Sequence, residues 1–442
     1  MKTTLLLAGL LALAGCAAQD APMPAPGVPA TQPGPLPALA AADAVLYEAF
    51  VPAFSAAGTL AGMLPRLDSI RQTGANVLWL MPVHPTHFSP YAVDDYRAIN
   101  PDFGDFAAFD ALVAAAHQRG LRVMLDWVAN HTSYHHPWIA AHPDWYNHDA
   151  AGNIVHPNPQ WLDVADLDFN QPALRRQMTA DMKFWVTDHG IDGFRCDAAD
   201  LVPDDYWQAA LAELKTANPN LLLLAEGSNP AHYAAGFQLA FGWDFYTALH
   251  QVLSLQWPAR TLAATHRAEM QGVPAGCYRL RFTTNHDEAQ QGTLPARYGS
   301  EAAARAAYVA TLAFGAAPLL FNGQETGDLP RFYQARHVPI RWGLDPTAGA
   351  FYGPLLRAYN ALPALRRGTV EDLSDGDDDL VVRRRLGAAE AAVLLNVRNY
   401  PLALALPAAL QGPGWTDALS GTAVATPDTV RLPAYGYAIW RR

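Results

Sequence analysis

The residues of this 442-residue chain best placed for chemistry are carboxylates that each close a short apolar run. Arg195 and Asp197 end the stretch Gly190-Ile191-Asp192-Gly193-Phe194-Arg195-Cys196-Asp197. Being two apart, they point to the same side of a strand, and Gly193 beside them lets another backbone come close. Glu226 follows Leu221-Leu222-Leu223-Leu224-Ala225, and Asn285-His286-Asp287 follows Leu280-Arg281-Phe282. Asp126 opens Asp126-Trp127-Val128-Ala129-Asn130-His131 directly after Val123-Met124-Leu125. Carboxylates do general acid–base and nucleophilic work. For Arg195 and Asp197 taken alone, a structural ion pair explains the spacing equally well.

What must position these groups is a set of short strands that each present a polar residue at the C-terminal end. That is the site geometry of a (β/α)8 TIM barrel, an α/β fold. Val45-Leu46-Tyr47-Glu48 reads as the first strand, Val77 to Pro82 as the second, Phe237 to Phe241 as the sixth and Pro318 to Glu325 as the eighth. Leu60 to Gly74 reads as one amphipathic helix. After Asp197, Pro203 starts another, with Trp207, Ala210, Leu211 and Leu214 at helical spacing. A last helix is expected near Tyr352 to Leu365. The predicted catalytic barrel spans 42–368. From Thr369 to the end, alternating runs such as Leu380-Val381-Val382-Arg383 and Tyr437-Ala438-Ile439-Trp440 predict a small C-terminal antiparallel β-sandwich over 369–442.

The third strand is followed by an excursion over about 132–172, too long for a structureless loop in a compact domain and therefore expected to be functional. It holds Trp138, Trp145, Tyr146 and Trp161 but few apolar runs. Its histidines and those just before it show no zinc spacing.

Hydrophobic residues make up 51% of the chain and charged ones 16%, which suits a large core. The formal net charge of -11 argues against nucleic acid and fits a neutral substrate. Residues 1–15 read as a signal peptide: Lys2, then the apolar run Leu5 to Ala14, too short to span a membrane. Leu13-Ala14-Gly15-Cys16 resembles a bacterial lipoprotein cleavage box with Cys16 as the lipidated residue; an ordinary secretory signal is the alternative. Ala17 lacks the acidic side chain associated with inner-membrane retention, which favours the outer membrane or periplasmic face of a Gram-negative envelope. Residues 16–41 are rich in Pro and Ala and read as an extended tether. Cys196 and Cys277, the remaining cysteines, are expected to be buried free thiols.

In order and content the four carboxylate stretches resemble the signature regions of the α-amylase family of glycoside hydrolases, and the likeness extends over roughly residues 43 to 442. Asp163-Val164-Ala165-Asp166-Leu167-Asp168 resembles a fifth, weaker signature. The resemblance implies Asp197 as nucleophile, Glu226 as acid/base and Asp287 as the third carboxylate, which grips sugar hydroxyls. It implies Tyr91, His131, Arg195 and His286 as substrate-site residues, with Arg195 keeping Asp197 ionised, and Asp126 and Asn130 as supports of the site. It implies a small inserted domain between the third and fourth strands. No cofactor is required for the chemistry; a structural calcium ion at Asn130 and Asp166 is the metal the family suggests, although Leu201 stands where the family has a helpful histidine. Strictly exo-acting relatives carry an acidic residue where this chain has Ala92. The expected activity is therefore retaining, endo-acting cleavage of α-1,4-glucosidic bonds in starch or maltodextrins by a monomer that meets the membrane through its lipid anchor alone. A maltogenic, cyclodextrin-degrading or transglycosylating member is the alternative, and an inactive carbohydrate-binding relative the remote one.

Overall fold

The computed structural model describes residues 36–330 and 338–442. The signal segment, Cys16 and most of the expected tether lie outside the described residues. Eight parallel strands form a closed barrel: β1 (Leu46–Ala49), β2 (Val77–Leu80), β3 (Arg122–Trp127), β4 (Gly193–Cys196), β5 (Leu222–Ala225), β6 (Leu239–Phe241), β7 (Tyr278–Arg281) and β8 (Ala317–Phe321). Each strand pairs with its successor, and β8 closes on β1 through Leu46 opposite Leu319.

Alternation along the strands sorts the side chains. Leu46, Trp79, Met124, Leu222, Leu224, Phe241, Leu280 and Leu319 fill the barrel interior. The opposite parity faces the helices, with Val123, Leu125, Phe194 and Leu223 in the larger core. Leu39, Ala41 and Ala44 join the interior cluster beside Leu46, so the described chain packs from its first residues onto the barrel.

Two helix expectations are modified. Leu60 to Gly74 is a 3-10 segment (Ala61–Arg66) and then an α-helix (Leu67–Thr73). Pro65 has no N–H to give to a continuous α-helical ladder. The last barrel helix is likewise two, Pro346–Ala361 and Pro363–Arg367, divided at the proline.

Between β3 and β4 the chain leaves the barrel. Two short strands there, His131–Ser133 and Val164–Asp166, pair antiparallel with His131 opposite Asp166. An aromatic cluster supplies the packing that apolar runs do not. Trp145 lies edge-on to Trp138 at 5.0 Å and stacks on His142 at 4.0 Å.

The C-terminal residues form a five-stranded antiparallel sheet and a two-stranded one. Val381, Leu394, Leu404, Trp415, Leu432 and Trp440 fill the space between the two sheets. The other face of the larger sheet, with Leu380, Val382, Val393 and Leu395, joins the barrel's outer core. Buried Arg384 pins the joint, donating to Gly368 O at 2.7 Å and Ala313 O at 3.3 Å.

Candidate active site

The site is built around one guanidinium. Arg195 is inward-facing on β4 and fully buried. Its Nη1 donates to Asp126 Oδ1 at 2.7 Å and Asp197 Oδ1 at 2.8 Å, and its Nη2 lies 2.8 Å from Glu226 Oε1. The register explains the meeting. Asp126 on β3 is opposite Arg195, while Asp197 and Glu226 are the first residues beyond β4 and β5. Gly193 allows this: a Cβ there would lie 2.0 Å from the Leu222 carbonyl oxygen. Aromatic rings box the cation, with its Cζ 5.3 Å from the Trp79 ring centroid and 5.6 Å from that of Tyr91.

A strained residue aligns the next contact. Ala198, just past Asp197, has φ 44, a left-handed conformation rare for alanine. Its N–H donates to Glu226 Oε2 at 2.7 Å. Backbone strain of this kind clusters at functional sites.

A second layer comes from the two ends of the barrel sequence. Glu48 on β1 is fully buried and pairs with His286 Nδ1. His286 Nε2 lies 2.8 Å from Tyr91 Oη and 3.4 Å from Asp287 Oδ2. Tyr91 also donates to Asp126 Oδ2 at 3.0 Å, and Trp79 Nε1 donates to the same oxygen at 3.2 Å. Glu48 and Trp79 were not singled out from the sequence. Glu48 occupies the inward parity of β1, and an acid at that parity near a strand's C-terminal end is the signal that could have marked it.

Burial sets the protonation. It is the largest influence on Glu226 and raises it, the Arg195 guanidinium opposes, Asp197 and Asp287 add to the rise, and the carboxyl stands at about 7. Burial also outweighs Arg195 at Asp197, which is raised to about 6. The Arg195 charge acts in the expected direction, favouring ionised Asp197, but one cation is shared among three carboxylates and burial exceeds its attraction. Asp126 is raised to about 6 for the same reason. Burial would lower His286, but the Asp287 and Glu48 carboxylates outweigh it and hold the imidazole up at about 9. At His131 burial outweighs the opposing Asp163 charge and takes the imidazole down to about 4, leaving a neutral ring.

Tyr91, His131, Asp197, Glu226, His286 and Asp287 all line one cleft of about 1220 Å³. Asp287 is the open member, with its side chain 43% exposed. Of the remaining sequence-predicted residues, Asn130 stands at the root of the inserted segment, where its carbonyl accepts from Leu167 N at 3.1 Å. Asp166 lies in that segment and accepts from the Asn147 amide at 2.7 Å. A calcium ion needs six to eight oxygen ligands. Asn130 and Asp166 would supply two of these, one Asp166 oxygen also accepting from the Asn147 amide, and no group of three or more His, Cys, Asp or Glu side chains that could hold a metal ion gathers among the described residues.

The chain is similar to known proteins over most of its length. The family description "Alpha amylase, catalytic domain" matches residues 44–159 and 158–337. An "Alpha-amylase MalA" of Haloarcula japonica is 31% identical over 421 residues, which cover 89% of this chain and 61% of that protein. An "Alpha-1,4-glucan:maltose-1-phosphate maltosyltransferase 2" of Streptomyces coelicolor is 26% identical, over 88% of this chain and 65% of its own. The chain thus spans less than two thirds of the length of these curated relatives. A solved α-amylase of Lactobacillus plantarum superposes with a TM-score of 0.79 at 25% identity, covering 91% of this chain and 99% of that one.

Proposed function

The chain belongs to the α-amylase family of glycoside hydrolases and transglycosylases, and from that premise we propose that it is a retaining, endo-acting hydrolase of α-1,4-glucosidic bonds in starch or maltodextrins. The observation that carries the proposal is the sharing of Arg195 by Asp197 and Glu226, with Glu226 the weaker acid at about 7 against about 6 for Asp197. Near neutral pH one carboxyl then holds a proton while the other is ionised, which is the division of labour that retention needs.

In this mechanism Glu226 protonates the glycosidic oxygen as Asp197 attacks the anomeric carbon. The leaving chain departs with that proton, and the glycosyl unit stays bonded to Asp197. Glu226, now ionised, takes a proton from water. The water oxygen displaces Asp197, and the product regains the starting α configuration. Asp287 accepts hydrogen bonds from sugar hydroxyls and offsets the positive charge that develops at the anomeric centre. Tyr91 offers the ring beside the cleaved bond. Asp126 and Glu48 hold Arg195, Tyr91 and His286 in place. Both His286 nitrogens already have protein partners, so its contact with a sugar hydroxyl requires Tyr91 or Asp287 to share it. Every side chain in this scheme comes from one chain, so a monomer suffices.

The cleft exceeds the roughly 300–1,000 Å³ of a typical small-molecule pocket, which supports a polymeric substrate. The maltosyltransferase relative favours a second reading, transfer of the glycosyl unit to a sugar instead of water. An inactive relative would have lost a carboxylate, whereas Asp197, Glu226 and Asp287 line one cleft. Proton NMR of early products from soluble starch tests the proposal. The α-anomer should appear first; initial β-anomer would rule out a covalent intermediate on Asp197, and longer products built from maltotriose would favour transfer. We also propose that the enzyme stands on the bacterial cell envelope, held by lipid at Cys16.

A further inference from the structure

The loop after β4 carries Asp197 and the loop after β5 carries Glu226. The backbone joins them at their roots, where Glu226 N donates to Cys196 O and Ala199 N donates to Glu226 O, each at 2.9 Å. Further out, a carboxylate that has no part in the scheme above crosses from one loop to the other. Asp200 follows Asp197 and the left-handed Ala198 on the first loop. Its Oδ1 lies 2.6 Å from His232 Nε2, and its Oδ2 accepts from Ser228 N at 3.2 Å. Both partners belong to the chain after β5.

His232 is held ready for this contact. It is 1% exposed, its ring lies edge-on to Phe237 at 5.7 Å, and its Nδ1 is 3.6 Å from Asp204 Oδ1. Gly227, the residue after Glu226, shows how close the pair comes. A Cβ there would lie 2.4 Å from Asp200 Oδ1 and 2.7 Å from His232 Nε2. The Asp200–His232 contact therefore rests on the backbone that carries Glu226. The Asp200 side chain is 47% exposed, and an ion pair that open to water contributes little stability. Stability alone is a weak reason for so specific a contact.

We propose that Asp200 and His232 are positioning residues that lock the two loops together and so hold the Ala198 N–H on the Glu226 carboxyl. The inference rests on the retaining-hydrolase reading given above. When Glu226 gives its proton to the leaving chain it becomes an anion, and the Ala198 N–H, 2.7 Å from Oε2, stabilises the charge that has just formed. A loop free to drift withdraws that donor. The burial that raises Glu226 is then less opposed, with Arg195, Asp197, Asp287 and Asp126 still facing the carboxyl.

The test compares wild type with Asp200→Ala, Asp200→Asn, His232→Ala and the double alanine variant. Turnover of soluble maltodextrin is followed from about pH 4 to 9. The Glu226 carboxyl is titrated separately by carbon NMR of glutamate-labelled protein, its signal assigned by its loss in Glu226→Gln. Asp200→Ala should lower kcat about tenfold with KM unchanged. It should also move the alkaline limb and the Glu226 titration up by roughly half a unit. His232→Ala should do the same, and the double variant should lose no more than either single one, because the two side chains are halves of one contact. Asp200→Asn keeps an oxygen for Ser228 N and an amide for His232, and should recover most of the loss. A limb and a titration that stay in place in Asp200→Ala, a rise in KM at constant kcat, or additive losses in the double variant would overturn the clamp, whatever the melting temperatures do. Wild type inactive on every α-glucan would instead overturn the hydrolase reading, and the carboxyl titration would still decide the clamp.

Discussion

A side chain in this site is defined by what it is denied as much as by what it touches. Glu226 is largely denied water, its side chain 17% exposed, and its carboxyl stands at about 7 against an ordinary 4.5. Two consequences follow. The ratio of kcat to KM should be bell-shaped, falling on the acid side as Asp197 takes a proton near 6 and on the alkaline side as Glu226 loses one near 7. Stability moves too. A carboxyl whose folded value is raised contributes stability that is full below the unfolded value and is lost as pH climbs through the folded one. For Glu226 the loss is on the order of 3 kcal/mol. Glu226→Gln should therefore abolish turnover while its melting temperature gains on wild type between about 4.5 and 7. A melting difference that stays flat over that range would show that Glu226 is not desolvated as described. Asp197, Glu226 and Asp287 were legible in the sequence because each ends an apolar run. Glu48 was not, although it too closes a short apolar run, because its partner His286 is 238 positions away.

Among the elements, β4 carries the tightest tolerance. It delivers Arg195 and Asp197 between β3 and β5, and Gly193 brings it against Leu222. Gly193→Ala would put a Cβ 2.0 Å from a backbone oxygen that no rotamer change can move. We expect a cost of about 3 kcal/mol, seen as a lower urea midpoint, together with a drop in kcat as Asp197 shifts. A wild-type midpoint would show that the two strands separate at little cost. The barrel strands were readable because an apolar run closed by a polar residue survives in a parallel sheet buried on both faces. The split in the helix after β1 was less so, since Pro65 is compatible with either a helix start or a 3-10 turn. The inserted segment was readable as an insertion but not as a fold, because rings from scattered positions hold it together and no periodicity announces them.

On the scale of the whole molecule, the proposed lipid at Cys16 would hold the barrel near a polymer that cannot cross a membrane. Among the described residues no helix is long and apolar enough to cross a bilayer, and the anchor proposed above is lipid at Cys16. Two acyl chains hold a bilayer far more firmly than one. Cys16→Ser should release or mislocalise the protein with its activity on soluble maltodextrin unchanged, and mass spectrometry of the mature N-terminus reads the lipid directly. An unmodified N-terminus at another residue, with the protein in the soluble fraction, would end that proposal. The pairing of Glu48 with His286 has one more implication, for the life of the chain before it arrives anywhere. The first strand waits, through synthesis, for a loop made near the end of the barrel. Until that loop docks, Tyr91 and Asp287 lack the histidine that joins them. A half-made or unfolded copy therefore lacks an assembled site.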